Sequence, residues 1–167
     1  ITGIIVWQFT ATCFNDALHA ITGNANLIKK ARFPRLLLPL AMVLANAFNF
    51  LLTLLVLLVY LACTRPVFGS LGWLPLALLT QTALCLGLAL LIATANVFFR
   101  DTEHMTGMAS MAWFFLTPVF YPVARQIEFL AAHPVAPWLV YLNPMTGILS
   151  AYRAFFLGQA PAAGGFA

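Results

Sequence analysis

The sequence predicts an all-α, polytopic helical membrane protein, and its composition is the first observation behind that prediction. Hydrophobic residues make up 63% of the 167 residues, and charged residues make up only 7%. A soluble globular domain carries roughly 25% charged residues. A chain with so few charges cannot cover a water-facing surface, so most of it is expected to face lipid.

The spacing of the charges is the second observation. No Lys, Arg, Asp or Glu lies between Arg35 and Arg65, between Arg65 and Arg100, or between Glu103 and Arg125. A helix needs about 20 apolar residues to cross the hydrocarbon core of a bilayer. Each of these gaps is long enough for one such helix.

Three apolar segments fill the gaps, and we predict that residues 39–62, 74–98 and 105–121 are transmembrane helices. Helices are expected because backbone groups in lipid must find their hydrogen bonds within the segment. Residues 1–20 are interpreted as the end of a further transmembrane helix. Because the sequence starts without a Met, we interpret it as a fragment of a longer chain.

The segment 24–35 collects half of the Lys and Arg residues of the chain. These cations are Lys29, Lys30, Arg32 and Arg35. Short loops rich in Lys and Arg stay in the cytoplasm, so the segment is predicted to be cytosolic, and Pro34 and Pro39 are expected to interrupt the helix there. Two interpretations stay open: the cations are topology signals alone, or the segment docks a soluble partner with Phe33 as an anchor.

Residues 122–160 contain apolar stretches that prolines interrupt. These prolines are Pro122, Pro134, Pro137 and Pro144. We predict short helices that lie on the outer membrane interface or dip into it. One of them is expected to start with Asn143 as its cap and Pro144 at its first helical position.

Four motifs, in order and spacing, resemble the type-2 ABC transporter permeases. They are "NANLIKKARFPRLLLP", "NVFFRD", "WFFLTPVFYP" and "LNPMTGILSAYR". More narrowly, the sequence is similar to the exporters of polysaccharides and polyol phosphates that move O-antigen, capsule or teichoic-acid chains. The resemblance implies a fragment of a six-helix transmembrane domain that works as a homodimer with two cytosolic ATPase subunits.

The resemblance also implies roles for particular residues. The coupling helix that docks on the ATPase corresponds to the segment with Asn24, Leu27, Ile28, Lys30, Phe33, Pro34 and Arg35. The second cytosolic turn, also near the ATPase, corresponds to Phe99, Arg100 and Asp101. The outer end of the fifth helix corresponds to Thr117, Pro118, Tyr121 and Pro122, and the external gate helices correspond to Asn143, Pro144 and Arg153.

Aromatic residues are the candidates for the transport path. Trp113, Phe114, Phe120 and Tyr121 follow one another along one predicted helix, and the resemblance suggests a path where sugar faces slide over rings. Lipid-facing and interfacial positions explain the same residues equally well. Both interpretations stay open.

No catalytic set and no metal-ligand spacing stand out, and no Gly-rich phosphate loop is present. We therefore expect no cofactor bound by this chain, with ATP and Mg²⁺ on the partner subunit. Asp101 and Glu103 are the one place where an enzyme is conceivable, as ligands for Mg²⁺ on a lipid pyrophosphate. An ion pair between Arg100 and Asp101 is the simpler interpretation.

Asp16 and the three cysteines complete the candidates. An acidic residue within an apolar span is costly and often functional. Asp16 shares a helical face with His19. Two interpretations of Asp16 stay open: it lies at the membrane–water interface, or it makes a polar contact along a transport path. Cys13, Cys63 and Cys85 are interpreted as small buried apolar residues.

These observations lead to one expected function and several alternatives. The chain is expected to be the permease subunit of an ATP-driven exporter of lipid-linked or phosphate-linked polysaccharide, a multi-pass protein of the bacterial inner membrane. It is expected to be a transport subunit rather than an enzyme and to contact membrane lipid but no nucleic acid. The alternatives are a membrane enzyme that acts on polyprenyl-linked sugars, a drug or small-lipid exporter of the same broad family, and an assembly subunit without a path of its own.

Overall fold

The computed structural model describes residues 2–23, 36–64, 72–99, 101–120 and 142–157, and these residues form five α-helices. The helices are α1 (Thr2–Thr22), α2 (Leu37–Thr64), α3 (Trp73–Phe98), α4 (Thr102–Leu116) and α5 (Pro144–Leu157). The predicted all-α fold class is confirmed. The basic segment 24–35 lies outside the described residues.

Among the described residues, α2 and α3 have the length and hydropathy to cross a membrane, with 28 and 26 residues. Each has a proline at its third position, Pro39 in α2 and Pro75 in α3. The first N–H groups of a helix have no acceptor within the helix, so proline sacrifices no hydrogen bond there. Pro39 therefore lies inside the first turn of α2, which starts two residues before the predicted residue 39. Whether the prolines separate this helix from the segment 24–35 stays a prediction.

Helix α4 runs from Thr102 to Leu116, whereas the sequence predicted a helix over 105–121. Thr117 is already extended, with φ −92° and ψ 134°. Pro118 explains the difference, because the ring of a proline disfavours helical backbone in the residue before it. The hydroxyl of Thr117 donates a hydrogen bond of 2.8 Å to the Trp113 carbonyl, which helps to satisfy the last turn of α4.

Side-chain contacts show that α1 and α3 run parallel and pack closely. Near their N-terminal ends, the Gln81 amide donates a 2.8 Å hydrogen bond to the Val6 carbonyl. Near their C-terminal ends, the Asn96 amide donates a 2.6 Å hydrogen bond to the Leu18 carbonyl. The pairing advances in the same direction along both helices, and this interface is the most extensive in the fold.

Helix α2 runs antiparallel to α1. Phe9 stacks on Phe50 with ring centroids 4.7 Å apart, and Asn46 donates a 2.7 Å hydrogen bond to Asp16. From the first contact to the second, the residue number rises along α1 and falls along α2. The three long helices therefore alternate in direction along the chain.

Helix α5 is the most deeply packed element. Its side chains are buried at positions that include Met145, Leu149, Tyr152 and Phe155, each at most 1% exposed. These residues complete the apolar core between α1 and α3. The predicted place of α5 at the outer interface of the membrane stays a prediction, but within the fold α5 is a core element.

The cysteines divide between the core and the surface. Cys13 and Cys85 are buried, as expected for small apolar residues, whereas Cys63 is exposed near the end of α2. The expectation of burial is therefore wrong for Cys63. The reason is its position in the last turn of a helix whose exposed face is almost entirely apolar.

Candidate functional site

The candidate site lies where the end of α4 meets the start of α5, and Asn143 is at its centre. Asn143 Oδ1 accepts a 3.1 Å hydrogen bond from the backbone N–H of Met145. This is the geometry of an N-cap, with Pro144 at the first helical position, where its missing N–H is not needed. The predicted start of this helix is confirmed.

The same asparagine also holds the last turn of α4. Its Oδ1 accepts a 2.8 Å hydrogen bond from the Trp113 indole N–H. Its Nδ2 donates a 3.0 Å hydrogen bond to the Thr117 hydroxyl. Asn143 is 6% exposed, so these hydrogen bonds lie away from solvent, where an unpaired amide is costly.

Arg153 of α5 hydrogen-bonds to the backbone of the segment that follows α4. Its Nη2 donates hydrogen bonds of 2.6 Å to the Pro118 carbonyl and 3.0 Å to the Val119 carbonyl. Such charge-assisted hydrogen bonds are stronger than neutral ones. Burial lowers the pKa of the Arg153 guanidinium from its ordinary value, yet an arginine keeps its proton near neutral pH. We call the set Trp113, Thr117, Pro118, Asn143 and Arg153 the α4–α5 junction.

The N-terminal end of α1 closes against the same turn. Gly3 is buried, and a Cβ atom at this position would collide with the Val119 carbonyl oxygen. The missing side chain of Gly3 therefore lets α1 approach the backbone that Arg153 also contacts. Three helices meet at this point.

The aromatic candidates occupy different environments. Trp113 packs edge-on against Trp7 and stacks on Phe14. Phe114 contacts Trp7 and Phe120. Phe120 is 68% exposed, so of these rings it is the most accessible to a passing molecule.

The structure thus brings together some of the predicted residues. Trp113, Phe114, Phe120, Asn143, Pro144 and Arg153 lie at or beside the α4–α5 junction. Another group lies outside the described residues: Asn24, Leu27, Ile28, Lys30, Phe33, Pro34, Arg35, Arg100 and Tyr121. Their roles stay predictions.

The acidic candidates at the start of α4 are solvent-facing. Asp101 and Glu103 are both exposed. Within the described ranges, no three His, Cys, Asp or Glu side chains group closely enough to hold a metal ion. The ion pair predicted between Arg100 and Asp101 involves a residue outside those ranges.

Asp16 has a specific partner that the sequence did not predict. Its carboxylate accepts the 2.7 Å hydrogen bond from Asn46 across the α1–α2 interface, and both side chains are partly buried. A signal was available: Asn46, Asn49 and Thr53 recur at intervals of three and four residues within an apolar span, which places them on one face of a helix. Gln8, Thr12 and Asp16 on α1 recur at intervals of four residues, which also places them on one face.

Long apolar helices in alternating directions, with a polar junction at the end of α4, define an integral helical membrane protein. The sequence profile of the ABC-2 type transporter family matches residues 1–157. The chain belongs to the ABC-2 type transporter family.

Similar proteins are O-antigen export permeases. The O-antigen export system permease protein RfbA of Klebsiella pneumoniae is 30% identical over 159 residues, which cover 94% of this chain and 59% of that protein. The protein of the same name from Myxococcus xanthus is 32% identical over 155 residues, or 92% of this chain and 58% of that protein. The chain therefore spans about three-fifths of the length of these relatives.

Proposed function

We propose that the chain forms the core of the permease of an ATP-driven exporter, which moves lipid-linked or phosphate-linked polysaccharide, such as O-antigen or capsule, across the bacterial inner membrane. The observation that carries the proposal is the family match over residues 1–157. The relatives named for O-antigen export support the cargo class. In this proposal the protein crosses the membrane several times and acts as a homodimer, without catalytic residues of its own.

Energy reaches the permease from a cytosolic ATPase subunit in this proposal. The basic segment 24–35 docks on that subunit, with Lys30, Phe33 and Arg35 among its contacts, and Asp101 lies in the second cytosolic turn. The order of the elements along the chain supports a route for the motion, because the segment lies between α1 and α2 in the sequence. A displacement of the segment therefore acts on both helices of the α1–α2 interface.

The α4–α5 junction is proposed as the outer gate. Its hydrogen bonds tie the end of α4 and the turn after it to α5. The N-terminal end of α1 packs against the same turn through Gly3. Opening an exit between these helices requires those bonds to break or rotate together. Phe120 is exposed beside the junction, and in this proposal it contacts a sugar ring as the glycan leaves.

The experiment that tests this function uses the complete permease, expressed with its ATPase in a strain that lacks the native permease. Surface glycan is measured together with pull-down of the ATPase and ATP hydrolysis. The Lys30→Glu/Arg35→Glu variant is compared with Arg125→Glu, which changes one cation on the side of the membrane predicted to be external. We expect the first variant to lose ATPase binding and surface glycan and the second to retain both.

The outcomes separate the two interpretations of the basic segment. Lost binding with normal membrane insertion supports docking. Unchanged binding and hydrolysis would leave the cations as topology signals alone. If the native permease itself restored no surface glycan, the proposal of polysaccharide export would be wrong.

A further inference from the structure

A groove runs between α1 and α2. It has a volume of about 190 Å³, and both apolar side chains and amide or hydroxyl side chains line it. The apolar ones are Ile5, Phe9 and Phe50, and the polar ones are Gln8 and Thr12 from α1 with Asn46, Asn49 and Thr53 from α2. At a rise of 1.5 Å per residue, Asn49 lies about 18 Å from the start of α2, near the middle of that helix.

Polar groups in this position need a polar partner. Gln8, Asn49 and Thr53 are exposed in the chain, and hydrocarbon offers them no hydrogen bond. Uncharged polar side chains in transmembrane helices commonly hydrogen-bond to a neighbouring segment. An amide that is left facing hydrocarbon has no such partner. Most other exposed residues of α2 are apolar, Leu51, Leu55 and Val59 among them. The amide and hydroxyl residues of the groove thus form a polar strip on a mostly apolar helix surface.

The chemistry of the lining favours an uncharged ligand rich in hydroxyl groups. The two threonine hydroxyls donate to their own helices, Thr12 to the Gln8 carbonyl at 2.8 Å and Thr53 to the Asn49 carbonyl at 3.0 Å. Each hydroxyl oxygen then presents acceptor lone pairs, whereas the amides of Gln8 and Asn49 offer both donors and acceptors. Sugar hydroxyls also donate and accept.

Phosphate fits the groove poorly. None of the residues that line it is charged, so no cation there balances a phosphate. At its inner end, Asn46 is hydrogen-bonded to the Asp16 carboxylate, which repels anions. The stacked rings of Phe9 and Phe50 close the bottom of the groove. Phe9 is 4% exposed and Phe50 is 5% exposed.

We propose that the α1–α2 groove is a binding site for the neutral sugar units of the exported glycan. Gln8 and Asn49 are its main hydrogen-bonding residues, and Asn46 is a positioning residue held by Asp16. This inference rests on the proposed export of polysaccharide. It adds a contact site at mid-membrane depth, separate from the α4–α5 junction.

The first test is photo-crosslinking in cells that make the glycan. A benzophenone amino acid replaces Asn49 in the complete permease with its ATPase. The matched control replaces Leu51, which is exposed on the same helix, lies about 200° around it and does not line the groove. We expect adducts that react with glycan antibody from position 49 and none from position 51.

Adducts at position 49 to phospholipid alone, or to another segment or copy of the permease alone, would show that lipid or protein covers the groove and would overturn the proposal. The second test measures surface glycan for Gln8→Leu/Asn49→Leu. Removing two hydrogen bonds to the moving chain is expected to lower the export rate about tenfold. Membrane level and ATP hydrolysis are measured beside it.

A matched pair of single variants tests whether an effect on export depends on lying in the groove. Thr53→Val in the groove is compared with Thr80→Val on α3; both threonines are exposed and donate to the carbonyl four residues before, at 3.0 and 2.9 Å. Only Thr53→Val is expected to slow export. If the native permease exports glycan, the groove variants have no effect and no glycan adduct forms, then only the proposal of a sugar site in the groove is refuted. If the native permease does not export glycan, the proposed function itself is refuted. Should the double variant be lost from the membrane, the crosslinking result decides.

Discussion

The indole N–H of Trp113 and the backbone N–H of Met145 share one acceptor, the Oδ1 atom of Asn143, at 2.8 and 3.1 Å. One side chain thus caps the start of α5 and holds the last turn of α4. Because Asn143 also donates to Thr117, any movement of α5 relative to α4 strains several hydrogen bonds at once. This relationship makes Asn143 the first residue to test in the junction.

Asn143→Ala is expected to lower the free energy of unfolding by about 1–3 kcal/mol, because it removes an N-cap and leaves the partly buried Trp113 N–H without its acceptor. Asn143→Asp retains the acceptor for the cap and the indole and loses only the donor to Thr117, so its effect should be smaller. The measurement is thermal unfolding of the purified permease in detergent. Ser150→Ala on α5, which removes an exposed hydroxyl bonded to Gly147, is the control; equal losses for Asn143→Ala and Ser150→Ala would contradict the prediction.

Arg153→Lys is expected to impair the junction although it preserves the charge. A guanidinium has several donors in a fixed plane and can contact two neighbouring carbonyl oxygens, whereas an ammonium is a compact point charge on a flexible stem. Arg153 spans the Pro118 and Val119 carbonyls. We expect Arg153→Lys to retain part of the native stability and Arg153→Met to lose more, measured by thermal unfolding and by surface glycan.

The critical result is how Arg153→Lys and Arg153→Met rank in thermal stability and in surface glycan. If Arg153→Met matched the native permease in both measurements, the hydrogen bonds to the turn would contribute nothing to either property. If both variants unfolded like the native protein while surface glycan fell, Arg153 would act in the passage of the glycan rather than in holding the turn.

Local signals explain what could be predicted from the sequence. The Asn143–Pro144 pair is a short-range pattern for a helix start, and the structure has the cap where that pattern places it. Thr117–Pro118 carried an equally local signal for the end of α4. The apolar residues continue beyond the proline, and for that reason the hydropathy predicts a helix that extends to residue 121.

Contacts between distant residues were beyond such patterns. Gly3 and Val119 are 116 positions apart. A single glycine contributes to no hydrophobic periodicity, so the sequence pattern could not predict the residue that it contacts. The pairing of Asp16 with Asn46 likewise depends on how α1 and α2 are set against each other. Polar residues on one face of each helix could be recognised from spacing, but their meeting could not.

Gly3→Ala is expected to destabilise the fold, because the added methyl group would meet the Val119 carbonyl oxygen, a backbone atom that Arg153 holds in place. Overpacking of this kind costs about 1–3 kcal/mol. Gly87→Ala on α3 is the matched control, since a Cβ there has nothing within 4 Å. Alanine favours a helix interior over glycine by up to about 1 kcal/mol, so the control should be neutral or stabilising. Thermal unfolding of both variants is the measurement, and an unchanged Gly3→Ala variant would show that α1 can shift away from the turn.

Asp16→Asn tests the interpretation that Asp16 is a polar contact along the transport path. An asparagine retains an oxygen that can accept the hydrogen bond from Asn46, so the fold is expected to change by less than about 1 kcal/mol, whereas Asp16→Leu leaves the Asn46 amide without that acceptor and should be less stable. Asn15→Leu, at the neighbouring exposed position, controls for a general loss of polarity. Surface glycan is measured beside thermal unfolding. Loss of export in a stable Asp16→Asn variant would place the carboxylate charge in the transport path, and full export would assign Asp16 to the anchoring of α1 against α2.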